Sequence, residues 1–251
     1  MLRATLSIGL LILTSLFSFA NAQPIAKVVG LYGQPMASGH VLTVGSAIQE
    51  HDKIVVGTGN VQILFTDGTK LVLGSGSSLV IEKYLMKGGN IASNVSIDAL
   101  RGTFRFITGN SAKEAYHIKT ANSTIGIRGT GFDFWVNDIT GVAVLEGKVK
   151  LCRDGSCVDI NSGCQAGVAQ PKNTHLLKQN PQSLALRAHL PFILDQSWLR
   201  PSFRLKVEQC ARILSLTAPE NRSCHQSCST SCSGGGNTDS PRSCSTSCSC
   251  N

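Results

Sequence analysis

Cysteine is missing from the first 151 residues of this sequence; all ten cysteines lie beyond Lys150. That long segment must therefore fold without disulfides or thiolate metal sites of its own. Aromatic residues are scarce at 6%, and charged residues make up only 15%. After the N-terminal stretch no run is long and apolar enough to span a bilayer, so the mature chain is expected to lack a transmembrane segment. Enzyme signatures are missing too. There is no Gly-x-Ser-x-Gly elbow, no His-Glu-x-x-His and no phosphate loop ending in Gly-Lys-Ser. His51 stands beside Asp52 in a turn-like stretch, which gives no catalytic pairing. Asp67 and Asp154 precede glycines, and Asp-Gly is turn chemistry first. The sequence points to no enzyme and no cofactor.

What is present begins with an export signal. Arg3 is followed by an apolar run over residues 6–19, and Ala20-Asn21-Ala22 offers a small-x-small cleavage site. This three-part pattern predicts a signal peptide over 1–22, with Gln23 as the new N-terminus. No cysteine follows the apolar run, so no lipid attachment is expected. The protein should be periplasmic or secreted. Its formal net charge is +8. A basic balance can serve nucleic acid, but an exported chain rarely meets any. An acidic envelope protein or an anionic envelope polymer is the expected partner, unless the charge only aids solubility. Ten cysteines agree with an oxidising compartment.

Three zones follow the signal. Residues 23–171 alternate in period two, with turn residues between the runs. Val61-Gln62-Ile63-Leu64-Phe65 meets Lys70-Leu71-Val72-Leu73 across Asp67-Gly68, a strong hairpin signal; a type I′ turn would put both turn residues at positive φ. Many short strands without intervening helices predict a mainly β fold: a roll, a sandwich or an irregular β-solenoid. Residues 172–216 read as a short helical segment. Leu199, Phe203, Val207, Cys210 and Leu214 recur at spacings of three and four, with Pro201 suited to a first turn. Residues 217–251 are rich in Ser, Cys and Gly and too poor in apolar residues to build a core, which predicts a disordered tail. Within it Ser-Cys-Ser-Thr-Ser-Cys-Ser occurs twice, at 227–233 and 243–249.

The run Asp52-Lys53-Ile54-Val55-Val56-Gly57-Thr58-Gly59-Asn60-Val61, followed by Leu64-Phe65-Thr66-Asp67-Gly68-Thr69, resembles the opening of a FecR domain. Leu79 to Tyr84 resembles the next strand of that domain. Gly102-Thr103-Phe104-Arg105-Phe106-Ile107-Thr108-Gly109 and Thr120-Ala121-Asn122-Ser123-Thr124-Ile125-Gly126-Ile127-Arg128-Gly129-Thr130-Gly131-Phe132 are similar to its most recognisable block. Val144-Leu145-Glu146-Gly147-Lys148-Val149 closes the pattern, which covers about 45–150. The resemblance implies a compact all-β periplasmic module, known from regulators that pass an iron-uptake signal to a sigma factor. Those regulators carry a cytoplasmic segment and a transmembrane helix before the domain. Here a signal-like segment stands in that place, so the resemblance carries over the module and not the sigma-factor regulation. Gly126 and Gly129 suggest close approach of a neighbouring backbone. Arg128, amid apolar strand residues, is either a ligand-binding arginine, an ion pair with Asp133 or Glu146, or an exposed strand residue.

Cys152-Arg153-Asp154-Gly155-Ser156-Cys157 reads as a hairpin tip. A two-residue Asp-Gly turn sets Cys152 opposite Cys157 at a separation that a disulfide accepts. Cys164 and Cys210 are left over, free to pair with each other. The tail cysteines, with His225 nearby, suit disulfides or a soft metal ion; no metal ligand set can be assigned. The functional expectation is an exported, non-enzymatic FecR-domain protein acting as a binding, scaffold or signalling module. The alternative is a protein that binds or sequesters a soft metal through its tail.

Overall fold

The computed structural model describes residues 23–129, 131–177, 189–208 and 210, with the backbone of 227–233 and 243–249. The expected signal peptide over 1–22 lies outside the described residues. Seventeen strands are hydrogen-bonded into one continuous mixed sheet, folded into two layers. The first layer runs, in spatial order, β4 (Ala47–Ile48), β1 (Ala26–Gly33), β6 (Gly59–Phe65), β7 (Lys70–Leu73), β9 (Ile91–Ile107), β12 (Gly131–Val136), β13 (Thr140–Glu146), β16 (Gln165–Gln170) and β17 (Asn173–Leu176). The second runs β3 (His40–Val41), β2 (Met36–Ala37), β5 (Lys53–Val55), β8 (Ser78–Gly88), β9 again, β10 (Tyr116–Thr120), β11 (Thr124–Ile127), β14 (Lys148–Arg153) and β15 (Ser156–Asn161). The long strand β9 belongs to both layers and joins them. Only β9 with β10 is parallel among the described pairs. Hairpin-dominated pairing of this kind matches the roll or sandwich expectation.

One core fills the space between the layers. Ile63, Leu71, Phe104, Phe106, Phe132 and Phe134 face inward from the first layer, and Ile54, Leu79, Ile97, Ile118, Ile125 and Leu151 from the second. Period-two alternation puts these residues on one face of each strand. The middle of the first layer breaks that pattern. Every residue of β12 is buried, and so is nearly all of β13. Both faces of these strands are covered, because residues 189–208 cross the outer face as a strap.

The strap corrects the expected helical segment. Asn173–Leu176 is strand β17, α1 spans only Pro191–Leu194, and Pro201–Phe203 is one 3₁₀ turn. Residues 195–200 and 204–207 are irregular, while Leu214 lies outside the described residues. Leu199 and Phe203 are buried, but against the sheet and beside Phe192 and Val72. The physical reason is beneath them. A continuous helix consumes its carbonyls in its own i to i+4 bonds, whereas the strap turns the Phe192 and Phe203 carbonyls down onto Arg105. At Leu199 and Phe203 the spacing of four signalled burial correctly and a helix incorrectly, whereas Glu208 and Cys210, further along the same segment, are helical. Because strap and strands share a packed face, a boundary at residue 171 cuts through it.

The two turns written Asp-Gly differ. At Asp154 and Gly155 both φ values are positive, 49° and 79°, as a type I′ turn requires. In the turn joining β6 to β7 only Gly68 is positive, at 85°, and Phe65 bonds both Gly68 and Thr69 through the backbone. Asp67 is thereby freed to point inward, where it joins the layers. Its carboxylate accepts from Ser111 Oγ at 2.7 Å, Tyr116 Oη at 2.8 Å, and the Thr69 amide and hydroxyl, each at 3.0 Å. The Asp67 amide donates to Tyr84 Oη. Burial works to raise the Asp67 pKa, but the bonds from Ser111, Thr69 and Tyr116 outweigh it and hold it below the ordinary value. Burial pushes both tyrosine hydroxyls up.

Two seven-residue strands lie in the tail, β18 (Ser227–Ser233) and β19 (Ser243–Ser249), paired antiparallel. The repeated heptapeptide reads the same in both directions, so antiparallel pairing matches like with like. Cys228 stands opposite Cys248, and Cys232 opposite Cys244. Positions 228, 230 and 232 share one face of β18, as 244, 246 and 248 do of β19. The two cysteine rungs are four residues apart, about 13 Å along a strand. That is too far for one four-coordinate metal to reach all four.

Two outcomes follow from these contacts. A carboxylate with a depressed folded pKa stabilises fully above its unfolded pKa, and the benefit is lost as pH falls through the folded value. Asp67→Asn should therefore cost about 1–3 kcal/mol at neutral pH, with the gap to the parent narrowing below about pH 4 in thermal melts. A gap that does not change with pH would contradict this role. For the tail, peptide mapping without reduction should find 228 linked to 248 and 232 to 244. Links between neighbours within one heptapeptide would refute the register.

Candidate functional site

Arg105 of β9 and Asp133 of β12 are direct cross-strand partners. They face the strap, because the alternate residues Phe104, Phe106, Phe132 and Phe134 take the core face. Both side chains are fully buried. The guanidinium binds the carboxylate through two bonds, Nε to Oδ1 at 2.7 Å and Nη2 to Oδ2 at 2.8 Å. Nη2 also donates to the Phe192 carbonyl at 3.0 Å, and Nη1 to the Phe203 carbonyl at 3.4 Å and to Gln196 Oε1. All five donors of the arginine are thus matched. Burial pushes the Asp133 carboxyl up, and the Arg105 charge pulls against that.

Around this anchor the strap is tied down by polar bonds. Gln62 of β6 accepts from the Arg200 amide at 2.8 Å and donates to the Trp198 carbonyl at 3.4 Å. Thr103 donates to the His189 carbonyl, and His189 stacks on Trp135 with ring centres 5.5 Å apart. Gln196 bonds both backbone groups of Leu205. Beyond the strap Cys210 is joined to Cys164, with Cα atoms 5.2 Å apart. Closing a loop over a sequence separation of 46 contributes about 4 kcal/mol in the chain-entropy model.

The strap leaves a cleft where it crosses β1, β6 and β7. Its volume is about 790 Å³, and Tyr32, Asn60, Gln62, Ser75, Phe192 and Trp198 line it. Tyr32 is 71% exposed and Trp198 36%, and Trp198 meets the edge of Phe192 at 5.6 Å. Local backbone geometry places Tyr32. A register shift between Val28 and Gly30 re-aims the end of β1. Gly33 then faces Gly59 at positive φ, so tightly that a Cβ on either would strike the opposing backbone. Ser75 Oγ closes the corner by bonding the amide and carbonyl of Gly59, each at 2.9 Å. The Tyr32 hydroxyl and the Asn60 amide group have no hydrogen-bond partner among the described residues. None of the lining residues carries a charge. The cleft can stack flat apolar surface and exchange hydrogen bonds, and its walls offer no acid–base pair.

The other residues singled out in the sequence fall elsewhere. Cys152 and Cys157 stand opposite each other at the tip of the β14–β15 hairpin, joined with Cα atoms 4.1 Å apart. Arg128 is exposed and does not meet Asp133, which is committed to Arg105. Gly129 is pressed against Lys148 and Gly147, where a Cβ would collide, whereas at Gly126 a Cβ would make only ordinary contact, 3.6 Å from the Lys150 carbonyl. The close-approach reading therefore holds at Gly129 and not at Gly126. His51 sits exposed at positive φ in a turn. Among the described residues no three His, Cys, Asp or Glu side chains gather in a way that could hold a metal, and no helix is long and apolar enough to cross a membrane. The sequence reading missed Tyr32, Asn60 and Trp198. It also missed the Arg105–Asp133 pair, although each of the two stands between aromatic residues in a strand, and a shared register was the available signal.

Comparison with known proteins finds a family match for part of the chain. No curated protein matches the chain. Two crystal structures of a candidate anti-sigma factor from Parabacteroides distasonis are similar to it over 54% of its length. One is 16% identical with a TM-score of 0.41, the match taking in 71% of that chain. The other is 19% identical with a TM-score of 0.40 and 64% of that chain. Residues 52–150 match the model of the FecR protein family, and this segment contains Asp67, Arg105 and Asp133.

Proposed function

We propose that this chain is an exported, non-enzymatic module that holds an envelope component in the cleft beneath its strap. The observation that carries the reading is the cleft itself. It pairs two exposed aromatic rings with an amide and a hydroxyl that the described residues leave without partners, and with no charged side chain. Sites for small or extended ligands are concave and mostly apolar, with a few convergent polar groups. Exposed aromatics with a polar tip supply large contact area at low entropic cost. A ligand segment with flat apolar faces and hydrogen-bonding edges fits such walls. The FecR domain supports binding or relay over catalysis, and the pattern at 1–22 supports export with cleavage after Ala22. The soft-metal alternative finds little support in the described strands of the tail, where Cys228 and Cys248 stand apart from Cys232 and Cys244.

The test uses the mature chain isolated from the periplasm, which should begin at Gln23. Immobilised, it should retain a component of envelope extract that Tyr32→Ala and Trp198→Ala, both folded, lose by about tenfold. Retention by the variants equal to that of the parent would rule out the cleft. Recovery of the uncleaved chain in the membrane fraction would rule out the exported form.

A further inference from the structure

The second layer has an outer face of its own, on the far side of the core from the strap. On that face β11 lies between β10 and β14. The inward residues Ile118, Ile125, Ile127, Val149 and Leu151 are in the core. The outward residues are therefore His117 and Lys119 on β10, Thr124 and Gly126 on β11, and Lys148 and Lys150 on β14. Short side chains on the middle strand and long basic ones on both neighbours make a groove. Its deepest point is fixed by register, since Gly126 pairs with His117 on one side and with Lys150 on the other. A hollow of about 530 Å³ opens there, walled by His117, Lys150, Arg128 and Lys113 together with one acid, Glu114.

Gly126 is the informative residue. It lies inside a strand, where glycine weakens pairing and packs nothing. Its φ is not in the left-handed region, and a Cβ would make only ordinary contact. Neither backbone nor packing demands glycine, yet a side chain there would fill the floor of the groove. The charges point the same way. Among the described residues the only ion pairs are Arg105–Asp133 and Arg153–Asp154. Lys119 faces Asp98 and Lys150 faces Asp159 across the ladder, but neither pair closes to a salt bridge. The groove therefore presents Lys119, Lys150 and Arg128 in no salt bridge with a described carboxylate, above bare backbone.

We propose that this groove binds an anionic polysaccharide, laid along β11 with its charged groups on the basic rails. Outward side chains on each rail recur every two residues, about 6.6 Å, Lys148 and Lys150 on one and His117 and Lys119 on the other, which suits a polymer bearing charge at intervals. No large exposed hydrophobic residue belongs to β10, β11 or β14, so the face lacks the apolar anchors with which a protein enters a lipid surface. This site is independent of the cleft, which lies on the opposite face of the molecule.

The test is binding of the full mature chain to polygalacturonate and to a phosphate-bearing mannan, with neutral dextran as control. Binding to either anionic glycan and not to dextran is expected, and the preferred one names the charged group. Arg128→Ala with Lys150→Ala should weaken binding about tenfold or more. Gly126→Val keeps every charge and suits a strand, so it should weaken binding similarly with an unchanged or raised melting temperature. Binding to neither glycan would overturn the proposal. So would Gly126→Val binding like the parent while the charge variants fail, because the attraction would then be diffuse charge without a built groove. Tyr32→Ala should leave this binding intact, which separates it from the cleft.

Discussion

A guanidinium taken out of water must have all five donors matched, and in this chain no sheet alone can do it. Arg105 gets two bonds from Asp133, its cross-strand neighbour. The remaining donors are met only by the strap, through two main-chain carbonyls and the Gln196 side chain. Removing one partner of such a pair leaves a buried charge uncompensated, at about 3–5 kcal/mol. The strap is therefore a condition of the middle of the first layer being dry on both faces. Phe192, Leu199 and Phe203 add roughly 1.5–3 kcal/mol each by burial, and the Cys164–Cys210 link shortens the search for the closed state.

The same closure makes the cleft. Trp198 and Phe192 are strap residues, and Tyr32 and Asn60 belong to strands of the sheet. Gln62 binds the strap backbone on both sides of Leu199, so the separation of the two walls is set by hydrogen bonds and not by the ligand. Fold and recognition thus meet at one seam. The groove on the second layer is different in kind. It needs only strand register and the choice of side chains, and it would survive local opening of the strap.

Much of the architecture was legible because strand signals are local. Alternation marked the runs that became β6, β7, β12 and the last five residues of β9, and the Asp154-Gly155 turn put Cys152 opposite Cys157. The FecR resemblance rested on a turn and strands that do carry structure: Asp67 ties the layers, and Gly129 is pressed against backbone. What was not legible depends on contacts far apart in sequence. The spacing of Leu199 and Phe203 reports burial, but proximity to Arg105, nearly a hundred residues earlier, decides that their segment is irregular. Asp133 was weighed against Arg128 because the two are near in sequence, whereas the ladder sets it against Arg105. Tyr32 and Trp198 carried no pattern at all; a single exposed aromatic becomes a wall only when another comes to face it.

The central claim is that the buried pair holds the strap and the sheet as one unit. Equilibrium urea unfolding of Arg105→Met, with and without Asp133→Leu, measures it. The account predicts that the single change loses about 3–5 kcal/mol and that adding Asp133→Leu recovers part of the loss, since two apolar residues leave no orphaned charge. A loss below about 1 kcal/mol for the single change, the range of an exposed pair, would contradict it.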